Sequence, residues 1–255
     1  MDKQAIQSAA QALLDARARG TLLKSLPPGC EPTDFAEAYA IQDAVSEALG
    51  PVAGWKVGAK EPGAEPTCAP MPASLVPPSG YCMPAYTAGQ CGIECEIAVR
   101  MKHDLPPRGK PYTHEEVMAA IGSVHPAFEI VTYRLMTHAH QSRVILATDA
   151  FGNGAFVFGD GRPDLVGMDQ TRQRAQLDVD GERWVEKTGG NPAGDIFRLV
   201  TWLANHVAVR AGGLKQGQFV TTGSCTGMLF VDGGEELRAD FPGLGFVEMS
   251  IGKKA

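Results

Sequence analysis

The chain has 255 residues, 44% hydrophobic and 20% charged, with a formal net charge of −6 at pH 7. That apolar content is ample for a packed core, while 30 Gly and 18 Pro call for many turns rather than long helices. The acidic balance and the lack of a Lys/Arg cluster argue against nucleic acid as a partner and for a small molecule.

Residues 1–20, MDKQAIQSAAQALLDARARG, place Ile6, Ala9, Ala10, Leu13 and Leu14 at helical spacing and stop near Gly20. This helix has no apolar signal-peptide core, and no run of about 18 apolar residues exists to span a bilayer, so a cytoplasmic protein without membrane association is expected. A second helix begins at Asp34, with Glu37 completing a capping box. It carries Ala38, Ile41, Val45 and Leu49 before Gly50 and Pro51 end it. The short strand GWKVG (54–58) follows, and then a Pro-rich stretch over 61–84 that reads as an irregular loop or lid.

Beyond residue 86 the pattern is mostly strand with two inserted helices. Thr113 and Glu116 cap the first, which runs through Ile121. Asn191 caps and Pro192 starts the second, which carries Ile196, Leu199, Val200, Leu203 and Val207 and ends at Gly212 and Gly213. VILATDAF (144–151), GAFVFG (154–159) and the hairpin QLDVDGERWVE (176–186), turning at Asp180 and Gly181, read as sheet. The expected architecture is α+β with a mixed or rolled sheet, divided into a helical N-terminal lobe with its Pro-rich loop (1–85) and a β-rich catalytic domain (86–255). The six cysteines contain no CxxC pair and read as reduced structural thiols rather than a zinc site.

In GIECEIAV (92–99), alternation turns Ile93, Cys95, Ile97 and Val99 to one face and Glu94 with Glu96 to the other. Two adjacent carboxylates in an apolar strand either sit on a wet face or share a divalent cation that cancels their repulsion. Glu129 in SVHPAFEIVTYR (123–134) is a third lone acid in an apolar segment. Pro126 assigns that segment to an edge or a strand start. Three carboxylates leave about three of six octahedral positions for water or substrate, the arrangement of a catalytic Mg²⁺ or Mn²⁺.

In order along the chain, YAIQDAV (39–45), GWKVG (54–58), IECEIAV (93–99), HPAFEIV (125–131), GNPAGDIFRLVTWLANH (190–206) and FVTTGSCTG (219–227) resemble the 2-keto-4-pentenoate hydratase branch of the fumarylacetoacetate hydrolase superfamily, which includes 4-oxalocrotonate decarboxylases. The resemblance implies a rolled mixed sheet of that type, with Glu94, Glu96 and Glu129 as metal ligands and Lys56 facing the substrate as acid/base or carboxylate anchor. It also implies that the TTGS segment binds the substrate carboxylate through Thr222, Gly223 and Ser224, and it places Asp149 in a loop beside the site. The implied activity is a lyase, hydrating a small 2-keto acid or 2-hydroxydienoate through a metal-stabilised enolate. Decarboxylation, C–C hydrolysis and a non-catalytic partner role are the alternatives. A homo-oligomer is expected, with a complex with another enzyme of the same pathway as a further option.

At EPTCAP (65–70) the sequence departs from the pattern: Thr67 and Cys68 stand where many such hydratases have an aspartate. His125, four residues before Glu129, is the candidate replacement base, with a packed, hydrogen-bonded histidine as the competing reading. His138 and His140 offer further metal donors but fall in a polar, loop-like stretch.

Overall fold

The computed structural model describes residues 1–86, 88–136 and 141–253; His138 and His140 lie outside them. Helix α1 (Lys3–Arg19) starts where the Asp2 carboxylate accepts from the Ala5 N–H and ends on Gly20 in the left-handed conformation. Helix α2 (Phe35–Leu49) is capped by Asp34, but Glu37 reaches Thr33 and the N-terminal amine instead of closing a capping box. Ala9, Ala10 and Leu13 of α1 bury against Ile41 and Leu26 in a small core of their own.

The remaining chain builds two mixed sheets. Strands β1 (Val52–Gly58), β2 (Thr67–Pro72), β3 (Tyr81–Met83), β4 (Cys91–Met101), β5 (Ile121–Val131) and β6 (Asn153–Phe158) come first, with α3 (His114–Ala120) and α4 (Arg143–Thr148) between them. Strands β7 (Arg174–Val179) and β8 (Glu182–Thr188), helix α5 (Ile196–Arg210) and strands β9 (Phe219–Ser224), β10 (Leu229–Val231), β11 (Glu236–Phe241) and β12 (Gly245–Ile251) complete the fold. The larger sheet runs β2-β1-β9-β4-β5-β6, with β10 also on β4; the smaller runs β3-β12-β11-β7-β8. Ile93, Cys95, Ile97 and Val99 enter the same apolar core as Leu237, Phe241, Val247 and Met249, which fixes the other face of β4 for its glutamates.

Several expectations are corrected. The Pro-rich stretch is not a loop: it contributes β2 to the larger sheet and β3 to the smaller, so a boundary at residue 85 cuts through both sheets. Residues 143–148 are helical, because the Ser142 hydroxyl caps the Ile145 N–H and seeds a turn that the β-branched composition alone does not announce. Helix α5 begins at Ile196 with Asp195 as its cap, since Gly194 at φ 72° interrupts the run from Asn191. Pro126 lies inside β5 rather than at an edge. Its carbonyl accepts from the Gly159 N–H, so the bond its missing N–H cannot return falls on the Gly159 carbonyl, just past the last residue of β6, and the His125 ring Nδ1 takes that carbonyl instead.

Asp180 and Gly181 turn the β7–β8 hairpin with positive φ at both positions. All six cysteines are free thiols. Among the described residues, no helix is long and apolar enough to cross a membrane.

Candidate active site

Antiparallel pairing puts Glu94 of β4 directly opposite Glu129 of β5, and Glu96 one pleat further along β4. One carboxylate oxygen from each lies within 4.8 Å of the other two. Glu96 is 1% exposed and Glu129 4%. Burial, then the charge of Glu129, raises the Glu94 carboxyl to about 7; burial with Glu129 and Glu94 drives Glu96 well above the usual carboxylate range. Three desolvated acids with one lysine between them lack positive charge, and a hard oxygen donor set of this kind fits a divalent cation such as Mg²⁺ or Mn²⁺.

The lysine is Lys56, on β1. Parallel pairing with β9 sets it beside Thr221, and its ammonium is bonded to Glu129 and lies 3.4 Å from the Phe151 carbonyl. Burial alone would depress the Lys56 ammonium, but Glu129, Glu94 and Glu96 outweigh that and raise it. Gly54, one pleat away, clears the passage between strands: a Cβ there would meet the Phe219 carbonyl oxygen at 2.7 Å.

The end of β9 secures Glu96. The Thr221 hydroxyl and the Gly223 N–H, the latter at 2.9 Å, both donate to its Oε2. Gly223 has φ 97°, a conformation that costs a Cβ-bearing residue strain. Asn191 holds this turn, its Nδ2 donating to the carbonyls of Thr222 and Gly223 at 2.8 and 3.0 Å. The Ser224 hydroxyl is buried without a hydrogen-bond partner among the described residues, beside Glu96 in the β4–β9 register.

Lys56, Glu94, Glu96, Glu129, Gly223 and Ser224 line a cavity of about 540 Å³, together with Val131, Tyr133, Leu146, Phe151 and Met228. Its rim carries Lys60, Arg143 and Lys187, and Arg143 donates to the Thr67 hydroxyl at 2.8 Å. Phe151 adopts φ 50° and ψ 39°, a left-handed conformation rare for a bulky side chain.

Glu94, Glu96, Glu129, Lys56, Gly223 and Ser224 thus meet in one cavity, while three other candidates fall outside its lining. His125 shares the parity of Glu129 but sits about 13 Å along the strand. There its Nδ1 bonds the Gly159 carbonyl at 2.9 Å, its Nε2 pairs with the Ser123 hydroxyl at 2.7 Å, and its ring packs edge-on against Phe158 and Phe219. Asp149 is consumed by Arg134, accepting from its N–H at 2.8 Å and its Nε at 2.5 Å. Thr222 points to the far face of β9 and donates to the Ile97 carbonyl. Strand alternation could have identified Thr221 rather than Thr222, because Thr221 pairs with Lys56 and Ala98 on the glutamate face. Phe151 had no comparable signal, since it comes from the segment read as strand, and neither had Arg143, which closes the polar, loop-like stretch before it.

The solved structure of 4-oxalocrotonate decarboxylase from Pseudomonas putida G7, complexed with magnesium and adipate, superposes with a TM-score of 0.85 at 23% identity, covering 98% of each chain. A 2-keto-4-pentenoate hydratase from Burkholderia vietnamiensis is 27% identical over 262 residues, covering 98% of both chains. A 2-hydroxyhexa-2,4-dienoate hydratase from Comamonas testosteroni is 29% identical over 152 residues, 60% of this chain and 56% of that one. Residues 45–251 match the model of the fumarylacetoacetate (FAA) hydrolase C-terminal domain, and the chain belongs to that family.

Proposed function

We propose that the protein is a divalent-metal-dependent carbon–oxygen lyase, a hydratase, acting on a small 2-keto acid or its 2-hydroxydienoate tautomer, with Mg²⁺ or Mn²⁺ held by Glu94, Glu96 and Glu129. The observation that carries this reading is the convergence of three buried carboxylates and the Lys56 ammonium on the floor of one cavity. When bound, the cation supplies a Lewis acid that chelates the keto acid and stabilises negative charge developing on its oxygen. Lys56 carries the proton: its raised affinity keeps it charged at neutral pH, and it stands on the cavity floor where the substrate chain enters. Ser224, whose hydroxyl lacks a partner, donates to the substrate carboxylate, whereas the Gly223 N–H is committed to Glu96. Val131, Leu146, Phe151 and Met228 exclude bulk water from the reacting carbons.

A decarboxylase is the second reading, favoured by one observation: among the described residues the three glutamates are the only carboxylates lining the cavity, and Thr67 supplies none. Water addition needs a proton delivered and a water directed, whereas loss of CO₂ needs mainly an electron sink. Supplying 2-hydroxypenta-2,4-dienoate and 4-oxalocrotonate side by side with Mg²⁺ decides between them. Consumption of the first without CO₂ supports the hydratase, and CO₂ from the second supports the decarboxylase. Inertness toward both, with no binding of oxalate in the presence of Mg²⁺, overturns the lyase reading.

The chain is further read as homo-oligomeric, supported by Trp184, Phe230 and Phe246 exposed on the sheets. A monomeric mass in light scattering would reject this. Co-purification with a second enzyme of the same reaction sequence would point to a mixed complex.

A further inference from the structure

The cavity is electrically two-sided. Its floor holds Glu94, Glu96, Glu129 and Lys56, and its rim holds Lys60, Arg143 and Lys187 with no carboxylate among the other lining residues. With a divalent cation bound, the three glutamates are balanced by that cation and Lys56, so the floor is neutral and accepts the carboxylate of a 2-keto acid without calling on the rim. The three rim cations form no ion pair among the described residues, in a chain whose net charge is −6. Positive charge concentrated at the mouth of a cavity in an acidic protein is a field for a second anionic group.

Arg143 is the most organised of the three. Its Nη2 donates to the Thr67 hydroxyl at 2.8 Å, and its guanidinium lies 5.4 Å from the Phe151 ring centroid. Phe151 also presents its carbonyl to Lys56, so one residue borders both the floor and the rim. A guanidinium steadied by a hydroxyl and an aromatic ring keeps further N–H donors for a carboxylate, which it can grip in a fork.

We infer that Arg143 selects substrates bearing a second carboxylate, so that the preferred substrate class is a 2-oxo dioic acid rather than a 2-oxo monoacid; this rests on the keto-acid lyase reading above. Thr67 is then a positioning residue, holding the guanidinium over the cavity.

The test is calorimetric, on the full chain with saturating Mg²⁺. 2-Oxoglutarate, 2-oxoadipate and 2-oxopimelate are each compared with the 2-oxo monoacid of equal chain length, and oxalate, too short to reach the rim, reports on the floor. At one or more lengths the dioate is expected to bind at least about tenfold tighter, as for a charged hydrogen-bonded pair. The Arg143→Met variant should erase that preference while binding oxalate as before, and Arg143→Lys should keep part of it. Thr67→Asp, which sets a carboxylate against the guanidinium, should weaken dioate binding as Arg143→Met does, and covers the case in which Arg143→Met fails to fold. Absence of any dioate preference in the wild type, or its survival in Arg143→Met, overturns the inference. Failure of oxalate itself to bind overturns the keto-acid reading as well, which separates the two failures.

Discussion

Replacing Glu94, Glu96 or Glu129 by Gln keeps side-chain volume and removes one charged oxygen donor. Each variant should therefore fold and lose Mg²⁺ affinity in calorimetry; unchanged affinity in all three would reject the site. Lys56→Met should lower turnover about a hundredfold or more. It should also cost about 3 kcal/mol of stability in metal-free buffer, because it strips a buried carboxylate of its counter-charge, and added Mg²⁺ should restore most of that loss. Thr221→Val, nearly isosteric, should weaken Mg²⁺ binding roughly tenfold by freeing Glu96 to reorient. His125 supplies a pH test. Burial lowers its affinity for a proton, so the folded protein holds it neutral and the unfolded chain protonates it below about pH 6.5. Stability is thus present above that pH and lost on acidification. His125→Gln should flatten the dependence of Tm between pH 7 and 5 while leaving turnover within a few-fold; a collapse in rate would return His125 to the role of base. The carboxylates were legible in the sequence because a charge inside an apolar strand is costly and needs a cause. The histidine was not, since parity on a strand gives the face but not the distance.

At the scale of elements, the site depends on close strand packing and on one strained turn. Gly54 lets β1 approach β9, and Gly54→Ala would drive a methyl into the Phe219 carbonyl and Met71, so a lowered Tm together with lost Lys56 function is expected from a change that touches neither ligand nor substrate. Strands β4 and β5 were readable from their alternation, as were the Asp180–Gly181 hairpin, the Gly20 stop of α1 and the Thr113 cap of α3. Helix α4 was not, because its six residues, half of them β-branched, are too few to show a helical period and are held in place by tertiary contacts. The start of α5 was misplaced for a related reason. Asn191 and Pro192 resemble a helix start, and the asparagine Oδ1 does accept from the Ala193 N–H, but its Nδ2 is tied to the carbonyls of β9, 31 and 32 residues away in sequence, and Gly194 turns the chain before a helix can form.

For the molecule as a whole, a cation that binds only the folded state adds stability by mass action. A Mg²⁺ concentration a hundredfold above its Kd contributes about 2.7 kcal/mol. For a chain of this length that should raise Tm by roughly 5–10 °C, and EDTA should reverse the shift. The α+β class with a mixed, rolled sheet followed from the order of motifs, whereas its division into two sheets was not foreseen. The boundary at residue 85 did not, because the parallel pairing of β1 with β9 and of β3 with β12 joins segments more than 160 residues apart, which local pattern does not encode. The helices α1 and α2 line no part of the cavity, yet Arg17 donates to the Asn153 carbonyl at 2.6 Å and Gln42 to the Ala147 carbonyl at 2.7 Å. They therefore clamp the chain at Ala147, one residue after Leu146 in the helix that begins at Arg143, and at Asn153, two residues after Phe151. Two helices that contribute nothing to the cavity's lining thus brace the wall that grips the substrate. Loosening it by Gln42→Leu should raise KM while Mg²⁺ affinity, set by strands β4 and β5, stays where it was, so that grip and metal are damaged separately from opposite sides of one cavity.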